Sequence, residues 1–234
     1  MAKTVVLTGA SRGLGLELCK GFLRQGDKVY ALVRSRPQAL LDLAGRYPAL
    51  LELVACDVGD SQSVERAAET VKSRGTGVDI LVNNAGAHFH RGSQADFRET
   101  DFDGLTATYE VNAAGPMRVC KAFYPLLGKG ALVAAISSSA GSMARCGAAE
   151  NQYAYRMSKA ALNMAMRLFS NTAARDGIRT LLLDPGWMNT DMGGGGAPYT
   201  VEENGAKLLR LLKHPEQLPE GELFLDHEGL PVPW

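Results

Sequence analysis

The sequence predicts a single domain of the α/β class, in which a doubly wound parallel sheet of about seven strands carries helices on both faces. Three observations predict it. Short β-branched apolar runs alternate with longer segments of helical spacing, a glycine-rich loop follows the first run, and the 234 residues contain neither an internal repeat nor a linker. Strand–helix alternation gives a parallel sheet with right-handed crossovers. Because such sheets bind ligands at the carboxyl ends of their strands, the residues that follow each strand are the candidate site.

Each predicted element has a local reason. Short apolar runs rich in Val, Ile and Leu predict strands at residues 5–7, 29–33, 51–55, 80–82, 131–136, 178–183 and 223–225. Apolar residues three and four apart predict helices at residues 14–24, 37–47, 61–72, 102–127, 153–175 and 201–212. Pro37 suits a first helical turn. Asp60 or Ser61 can cap the third helix, and Pro116 is a candidate kink in the fourth.

Composition and charge exclude several classes of protein. With 46% hydrophobic and 21% charged residues, the chain has the composition of a globular protein rather than a disordered one. Its 25 Lys and Arg balance 25 Asp and Glu, so no surplus of positive charge favours a nucleic acid or an anionic membrane, and we expect neither as a partner. The sequence shows no signal-peptide pattern and no apolar run near ~18 residues, which predicts a cytoplasmic protein.

The cysteines point to the same compartment. Cys19, Cys56, Cys120 and Cys146 show neither a CxxC pair nor zinc-finger spacing to a histidine. This pattern predicts reduced thiols and no metal site. Cys146 lies near the predicted site and is a candidate reactive thiol, although no feature of the sequence indicates that it is activated.

A glycine-rich loop follows the first strand and reads TGASRGLG. Glycine lets a phosphate approach the backbone, and the N–H groups at the start of the next helix attract its charge. The spacing is GxxxGxG rather than the usual GxGxxG fingerprint of dinucleotide sites, so the loop alone could be an ordinary turn. Its position between the first strand and the first helix favours cofactor binding. The candidate contacts are Gly9, Ser11, Arg12, Gly13, Leu14 and Gly15.

The end of the second strand indicates which dinucleotide binds. A site for NAD normally has Asp or Glu there to hold the ribose 2′-hydroxyl, whereas this chain has Arg34. Arg34 and Arg12 of the glycine loop can bind a 2′-phosphate, because the planar guanidinium matches phosphate oxygens. The alternative is two solvated surface arginines. Their positions favour NADPH, and we therefore expect NADP(H) as the cofactor.

Two further loops follow predicted strands. Asp57 and Val58 come after the third strand, where a carboxylate either accepts from an adenine amino group or caps the next helix. An Asn-Asn-Ala-Gly segment follows the fourth strand, where small residues leave room for a ribose; an ordinary polar turn is the alternative. Its members are candidate cofactor contacts: Asn83, Asn84, Ala85 and Gly86.

A serine and a Tyr–Lys pair are the candidate catalytic groups. Tyr155 and Lys159 are four residues apart and project from the same face of a helix. The neighbouring ammonium and an oxidised nicotinamide favour the phenolate, which is expected to lower the pKa of Tyr155 from its usual ~10. Ser138 follows the fifth strand and could hold a substrate oxygen beside the Tyr155 hydroxyl. A surface Tyr–Lys pair and a serine-rich loop are the alternative.

Six motifs occur in the order and at the separations found in the short-chain dehydrogenase/reductase (SDR) family: TGASRGLG, DV, NNAG, SSSAG, YRMSK and LDPGWMNT. The sequence resembles this family over essentially its whole length. The resemblance implies a Rossmann-type fold and a catalytic tetrad, in which Tyr155 is the acid/base and Lys159 binds the nicotinamide ribose and tunes Tyr155. Ser138, three residues before Gly141 as in the family, would orient the carbonyl. Asn112 would support a proton relay through water.

The same resemblance assigns four residues after the sixth strand to the nicotinamide: Pro185, Gly186, Trp187 and Thr190. An extension at residues 143–151 and the ending GLPVPW make the chain similar to the sniffer and C-factor branch of small carbonyl reductases. This implies an NADPH-dependent reductase of small aldehydes, ketones or quinones. The alternative is an NADP-binding signalling or sensor protein with incidental catalysis. Relatives are usually dimers or tetramers joined through the helices of Asn112 and Tyr155, so we expect a homodimer or homotetramer.

Three loops are expected to form the substrate site, at residues 87–100, 141–152 and 187–200. Apart from Ser138 and Tyr155, the candidates for its wall are Met143, Trp187, Met188 and Met192. His88 and His90 either line the mouth of the site or are exposed loop residues.

Four consecutive glycines, at residues 193–196, make the most flexible stretch of the sequence. They either hinge a short lid over the substrate or form a slack connection to the last helix. We favour the hinge, because the stretch directly follows the nicotinamide segment and lids often close over such sites.

Overall fold

The computed structural model describes residues 2–89, 97–147 and 151–234. Its strands are β1 (Thr4–Thr8), β2 (Lys28–Val33), β3 (Leu51–Ala55), β4 (Val78–Asn83), β5 (Leu127–Ile136), β6 (Arg179–Asp184) and β7 (Phe224–Asp226). They form one sheet in the order β3-β2-β1-β4-β5-β6-β7, and every neighbouring pair is parallel. The prediction of a doubly wound parallel sheet of about seven strands is confirmed.

Helices cover both faces of this sheet. They are α1 (Gly13–Arg24), α2 (Gln38–Arg46), α3 (Ser61–Lys72), α4 (Leu105–Tyr109), α5 (Gly115–Phe123), α6 (Tyr153–Ala173) and α7 (Val201–Lys213). One buried cluster contains Phe22 of α1 and Leu208 of α7, and the other contains Phe123 of α5 and Met166 of α6. None of the helices in the described ranges has the length and apolar character that a bilayer crossing requires.

The predicted fourth helix, at residues 102–127, is shorter and less regular than expected. Between α4 and α5 lies a π-helical turn, Glu110–Ala114, in which the Gly115 N–H donates to the Glu110 carbonyl. Pro116 is the second residue of α5, two residues after this turn, and has no N–H of its own to donate. The irregularity therefore lies one turn before the predicted kink, and a π turn of this kind is common at functional sites.

Strand β5 begins at Leu127, four residues earlier than predicted. Leu127 pairs with Val78, and the register shifts before Leu132 pairs with Ile80. Gly130, at φ +88°, adopts a conformation that suits glycine within this irregular stretch. The early start of the strand shortens the predicted helix at its carboxyl end.

The order of the strands reverses at β1, which lies between β2 and β4. The crevice at the carboxyl ends of β1 and β4 is the place where doubly wound sheets bind ligands. The loops that leave β1, β4, β5 and β6 all meet at this edge, which carries the residues described next.

Candidate functional site

The glycine loop after β1 packs closely on the loop after β4. Gly9 has φ +69°, and a Cβ on it would lie 2.8 Å from the Ala85 Cα. A Cβ on Gly15 would lie 2.2 Å from the Gly9 carbonyl oxygen. The Thr8 hydroxyl accepts from the Asn84 and Ala85 N–H groups at 3.0 Å, and the Asn84 amide donates to the Thr8 carbonyl at 3.0 Å. These glycines are required for close backbone packing, which leaves the loop compact.

The start of α1 fits a phosphate. The helix begins at Gly13, as predicted, and the residue that precedes it, Arg12, makes no side-chain cap. The first N–H groups of the helix therefore remain available to an anion at its positive end. Leu14 is buried in the core, so it can contact a cofactor only through its backbone. Ser11 and Gly13 are half-buried at the cleft edge.

Two residues predicted to contact the cofactor bury their side chains, which leaves the backbone of each for such a contact. Asn83 is buried, with its amide 3.4 Å from the Cys120 sulfur. Val58 belongs to the core cluster on the α5 and α6 face. Gly86 does border the cleft, because a Cβ on it would lie 3.5 Å from the Asn112 Oδ1 and 4.0 Å from the Lys159 Nζ. Position along the chain alone does not show which side chain of a turn faces inward.

The two arginines predicted to bind a 2′-phosphate lie after adjacent strands and are paired with carboxylates. Arg34 lies 3.9 Å from Asp57, and Arg12 lies 2.9 Å from Asp191; all four side chains are largely exposed. Asp57 also accepts from the Gly59 N–H at 2.9 Å. Asp57 is therefore not the cap of α3, a role that the structure gives to Asp60.

The turn after β5 brings Ser138 to the start of α6. The Ser138 hydroxyl accepts from the Ala140 N–H at 3.1 Å, and Ser138 acts on the Tyr155 hydroxyl so as to lower the pKa of Tyr155. The preceding serine, Ser137, is buried and donates to the Asn163 Oδ1 at 2.5 Å. The structure thus places Ser138, and not Ser137, beside Tyr155.

Lys159 is buried one turn beyond Tyr155. Its ammonium donates to the Ile136 carbonyl at 2.8 Å and lies 5.7 Å from the centre of the Tyr155 ring. A Cβ on Gly141 would lie 2.7 Å from the Lys159 carbonyl carbon, so the Ser138 turn packs directly on the α6 backbone. The predicted Ser138, Tyr155 and Lys159 therefore meet at the carboxyl end of β5.

Burial sets the protonation of this pair. Burial raises the pKa of Tyr155 to about 12, although Ser138 opposes the rise and Asp184 adds to it. Burial also lowers the pKa of Lys159 to about 8, and Asp184 opposes that shift. The sequence predicts a lowered Tyr155 pKa from Lys159 and an oxidised nicotinamide together; in the protein without cofactor, burial is the largest influence and raises this pKa.

Asn112 occupies the π-helical turn and is completely buried. Its Oδ1 accepts from the Ala87 N–H at 2.7 Å, and its Nδ2 donates to the Ala87 carbonyl at 2.8 Å and to the Ser158 hydroxyl at 3.0 Å. Ser158 in turn donates to the Tyr155 carbonyl at 2.7 Å. Asn112 is thus linked to both the loop after β4 and the helix that carries Tyr155.

The predicted nicotinamide segment leaves β6 in a tight turn. Gly186 has φ +73°, and a Cβ on it would lie 2.9 Å from the Asn204 amide nitrogen. The Gly186 N–H donates to Asp184 at 3.1 Å, and the Asn204 amide donates to the Pro185 carbonyl at 2.7 Å. Thr190 lies near the glycine loop, since a Cβ on Gly13 would lie 3.7 Å from its methyl group.

The four glycines fold back on the segment that precedes them. A Cβ on Gly193 would lie 1.8 Å from the Met188 carbonyl oxygen, and the Trp187 indole donates to the Gly193 carbonyl at 2.8 Å. Gly193 is therefore a close-packing position, whereas Gly195 has open space around it. The base of the loop is held where the Asn189 N–H donates to the Tyr199 carbonyl at 2.9 Å.

The candidates for the substrate wall divide into exposed and buried residues. Met143, Trp187 and Met192 are exposed at 82%, 58% and 38%. Met188 is buried in the core cluster on the α1 and α7 face, because the turn after β6 points it inward, so it is not a wall residue. His88 is half-buried, and its ring centre lies 5.0 Å from that of Tyr155. His90 lies outside the described residues, as do 91–96 and 148–150 of the predicted loops.

The sequence profile of the short chain dehydrogenase family matches residues 3–197. The chain belongs to the short-chain dehydrogenase family. Its sequence is 41% identical to the C-signal protein of Myxococcus xanthus over 159 residues, which are 67% of this chain and 93% of that protein.

Solved structures of this family superpose on the whole chain. The NADPH-bound carbonyl reductase from chicken fatty liver is 31% identical, with a TM-score of 0.89, and the match covers 100% of this chain and 99% of that one. The carbonyl reductase Sniffer of D. melanogaster is 28% identical, with a TM-score of 0.90 and full coverage of both chains. The similarity to the sniffer and C-factor branch that the sequence indicates is confirmed.

Sequence reasoning missed three features of this short-chain dehydrogenase site: Ser158 between Asn112 and Tyr155, the buried Asp184, and the contact of His88 with the Tyr155 ring. Ser158 stands inside the YRMSK motif and Asp184 inside LDPGWMNT, so both were visible in the sequence without an assigned role. Within the described ranges, no group of three or more His, Cys, Asp or Glu side chains could hold a metal ion.

Proposed function

We propose that the chain is an NADPH-dependent carbonyl reductase that transfers a hydride between the nicotinamide and a small aldehyde, ketone or quinone. The observation that supports this most is the meeting of Ser138, Tyr155 and Lys159 at the carboxyl end of β5, with Asn112 linked to the same helix. These four groups form a proton-donating site next to a crevice that suits a dinucleotide.

The cofactor would lie between the glycine loop and the segment after β6. The uncapped start of α1 would hold its pyrophosphate, and Arg12 and Arg34 would bind its 2′-phosphate. Lys159 and the segment at Pro185 and Gly186 would hold its nicotinamide end. When bound, the reduced nicotinamide supplies the hydride for the carbonyl carbon.

Tyr155 gives the proton that the carbonyl oxygen needs. Its hydroxyl is protonated at neutral pH because burial holds its pKa at about 12. Ser138, which lies at the same edge, positions the carbonyl oxygen beside that hydroxyl. Lys159 stabilises the phenolate left after the transfer, and Asn112 supports the return of a proton through water.

Replacing the proton donor tests this assignment. Tyr155→Phe is expected to bind NADPH as the unchanged protein does, but to lower kcat for carbonyl reduction by about a hundredfold or more, because it lacks only the hydroxyl. Tyr153→Phe, at the start of the same helix, serves as the control and should retain turnover. Normal turnover in Tyr155→Phe would refute the proposed mechanism.

A second function remains open because of the similarity to the C-signal protein. In that case the chain would be an NADP-binding signalling or sensor protein whose catalysis is incidental. A panel of aldehydes, ketones and quinones, assayed by NADPH consumption, distinguishes the two. Turnover that requires Tyr155 supports the reductase, whereas NADPH binding without turnover of any substrate supports the sensor.

The cofactor assignment predicts a selective loss on removal of Arg34. Arg34→Ala is expected to weaken NADPH binding roughly tenfold and to leave NADH binding little changed, because only NADPH carries the 2′-phosphate. Arg66→Ala removes another exposed arginine paired with a carboxylate, Asp60, and should change neither affinity. Equal affinities of the unchanged protein for NADPH and NADH would contradict the assignment.

We propose that the loop between Met188 and Tyr199 closes over the substrate. The base of the loop is fixed by the Met188–Tyr199 pairing. Of the four glycines that the sequence offers as a hinge, Gly193 is closely packed and Gly195 has open space around it, so we place the hinge after Gly193. Hydrogen exchange of this loop should slow when NADPH and a slow substrate bind together. Unchanged protection in the ternary complex would show that the loop is a slack connection.

We also propose a homo-oligomer joined through α4, α5 and α6. Met157, Met164 and Leu168 of α6 are exposed at 53%, 62% and 62%, and apolar residues clustered on one helix face favour a protein contact. The replacement Leu168→Glu should shift the protein to a smaller species in light scattering. Leu41→Glu, an exposed leucine of α2, is the control. A monomeric unchanged protein would refute this proposal.

The cysteines support a reducing, cytoplasmic location. Cys19, Cys56 and Cys120 are buried as unpaired thiols. Burial raises the pKa of these three thiols to about 12, 11 and 12, so they resist deprotonation and oxidation. The proposed reductase has a small carbonyl compound as its partner, wherever it is located.

A further inference from the structure

One buried carboxylate at the catalytic edge has no role in the proposed mechanism. Asp184 is the last residue of β6 and is 7% exposed. In the neighbouring ladder Ile136 of β5 pairs with Leu183, and the Ser137 N–H donates to the Leu183 carbonyl at 2.8 Å. Asp184 therefore lies beside the point at which the chain enters the Ser138 turn.

The pleat of β6 directs Asp184 toward helix α6. Leu183 belongs to the core cluster on the α1 and α7 face, whereas Leu182 belongs to the cluster that contains Met166 of α6. Successive side chains of a strand alternate between faces, so Asp184 shares the α6 face with Leu182. Lys159 is anchored on the same face, through its bond to the Ile136 carbonyl at the end of β5.

The charged and titratable groups around Asp184 come from three elements. On α6 they are Tyr155 and Lys159, and the His88 ring packs on Tyr155. On β7, Asp226 pairs with Asp184 in register, but it accepts from the Glu228 and Leu230 N–H groups. His227 follows Asp226 and packs near Gly186. Among the described residues, the Asp184 carboxylate forms no ion pair with a lysine or arginine, and it accepts one hydrogen bond, from the Gly186 N–H.

We propose that Asp184 is a positioning residue for the proton: its negative charge keeps the Tyr155 hydroxyl protonated and Lys159 an ammonium, and so favours the reductive direction. In that direction Tyr155 gives a proton to the carbonyl oxygen, whereas the reverse reaction needs its phenolate as the acceptor. Asp184 raises the pKa of both side chains. This inference rests on the proposed function.

The variant Asp184→Asn removes the charge and keeps an oxygen to accept from the Gly186 N–H. In the pH profile of kcat for carbonyl reduction, the fall at alkaline pH is expected to shift toward lower pH by about half a pH unit or more. The reason is that Tyr155 and Lys159 lose their protons more easily without the negative charge. Alcohol oxidation with NADP⁺ should gain relative activity on the acidic side. A purely structural role of Asp184 would lower kcat without moving either limb.

Two matched variants control for the site and for the charge. Thr180→Val alters a buried, uncharged residue of the same strand and face, and Asp226→Asn removes the neighbouring carboxylate. Neither should move the pH profile. An equal shift in Asp226→Asn would overturn the assignment to Asp184, as would an unchanged profile in Asp184→Asn. If Asp184→Asn unfolds, Asp184→Ser removes the same charge and should give a shift in the same direction.

A second readout does not depend on turnover. The ultraviolet absorbance of the phenolate, titrated in the whole protein and corrected with Tyr155→Phe, reports the ionisation of Tyr155 directly. It should occur at lower pH in Asp184→Asn than in the unchanged protein, and an identical titration would overturn the inference. If the unchanged protein reduces no carbonyl compound, the proposed function fails, while this titration still decides whether Asp184 acts on Tyr155.

Discussion

The catalytic edge depends on one close approach of two backbones, where the turn after β5 meets α6. A side chain at Gly141 would overlap the Lys159 backbone, so only glycine permits this contact. The Asn163 amide donates to the Gly141 carbonyl at 3.3 Å, and its oxygen accepts from Ser137. Because the turn and the helix are held together at these points, Ser138 has a defined position relative to Tyr155.

That approach has an electrostatic consequence. It buries Lys159 and half-buries Tyr155, and loss of solvent disfavours the charged form of each group. The neutral phenol is the form that donates a proton, so burial helps the reductive direction at Tyr155. At Lys159 it has the opposite effect, because the ammonium is the useful form and its pKa falls to about 8. A nearby negative charge corrects the second effect and reinforces the first, which explains why a carboxylate at position 184 suits this site.

Much of the fold and of the site could be predicted from the sequence, because both follow from short-range patterns. Apolar runs identify the strands, and helical spacing identifies the helices. Because parallel strands bring their following loops to one edge, the sequence predicts Gly9 and Ser138 at that edge, and the structure has Gly9 after β1 and Ser138 after β5, with Tyr155 on the following helix. Side-chain direction within a turn is not a short-range property. Asn83 ends β4 and Met188 follows β6, close to the site residues of the same two segments, but both side chains face the core.

The features that were missed depend on contacts between distant segments. The hydrogen bond from Asn112 to Ser158 joins residues 46 apart, and no periodicity predicts it. Asn112, within the π-helical turn, likewise bonds to Ala87, 25 residues earlier in the chain, and helix propensity does not predict this contact. The resemblance to a family identified Asn112 as a site residue, but only the structure shows the bonds that orient it.

The burial of Lys159 also bears on the choice between a reductase and a sensor. A buried ammonium with one carbonyl partner costs stability, and a protein that only binds NADP(H) could hold the cofactor with exposed arginines and the uncapped helix alone. Strained or costly groups persist where a function requires them. Here the costly burial of Lys159 is combined with Ser138, which acts on Tyr155. It is also combined with Asn112, which is held by three hydrogen bonds to Ala87 and Ser158. Cofactor binding alone would account for Lys159 but not for Ser138 beside Tyr155, whereas the proposed proton transfer would use every member of the combination.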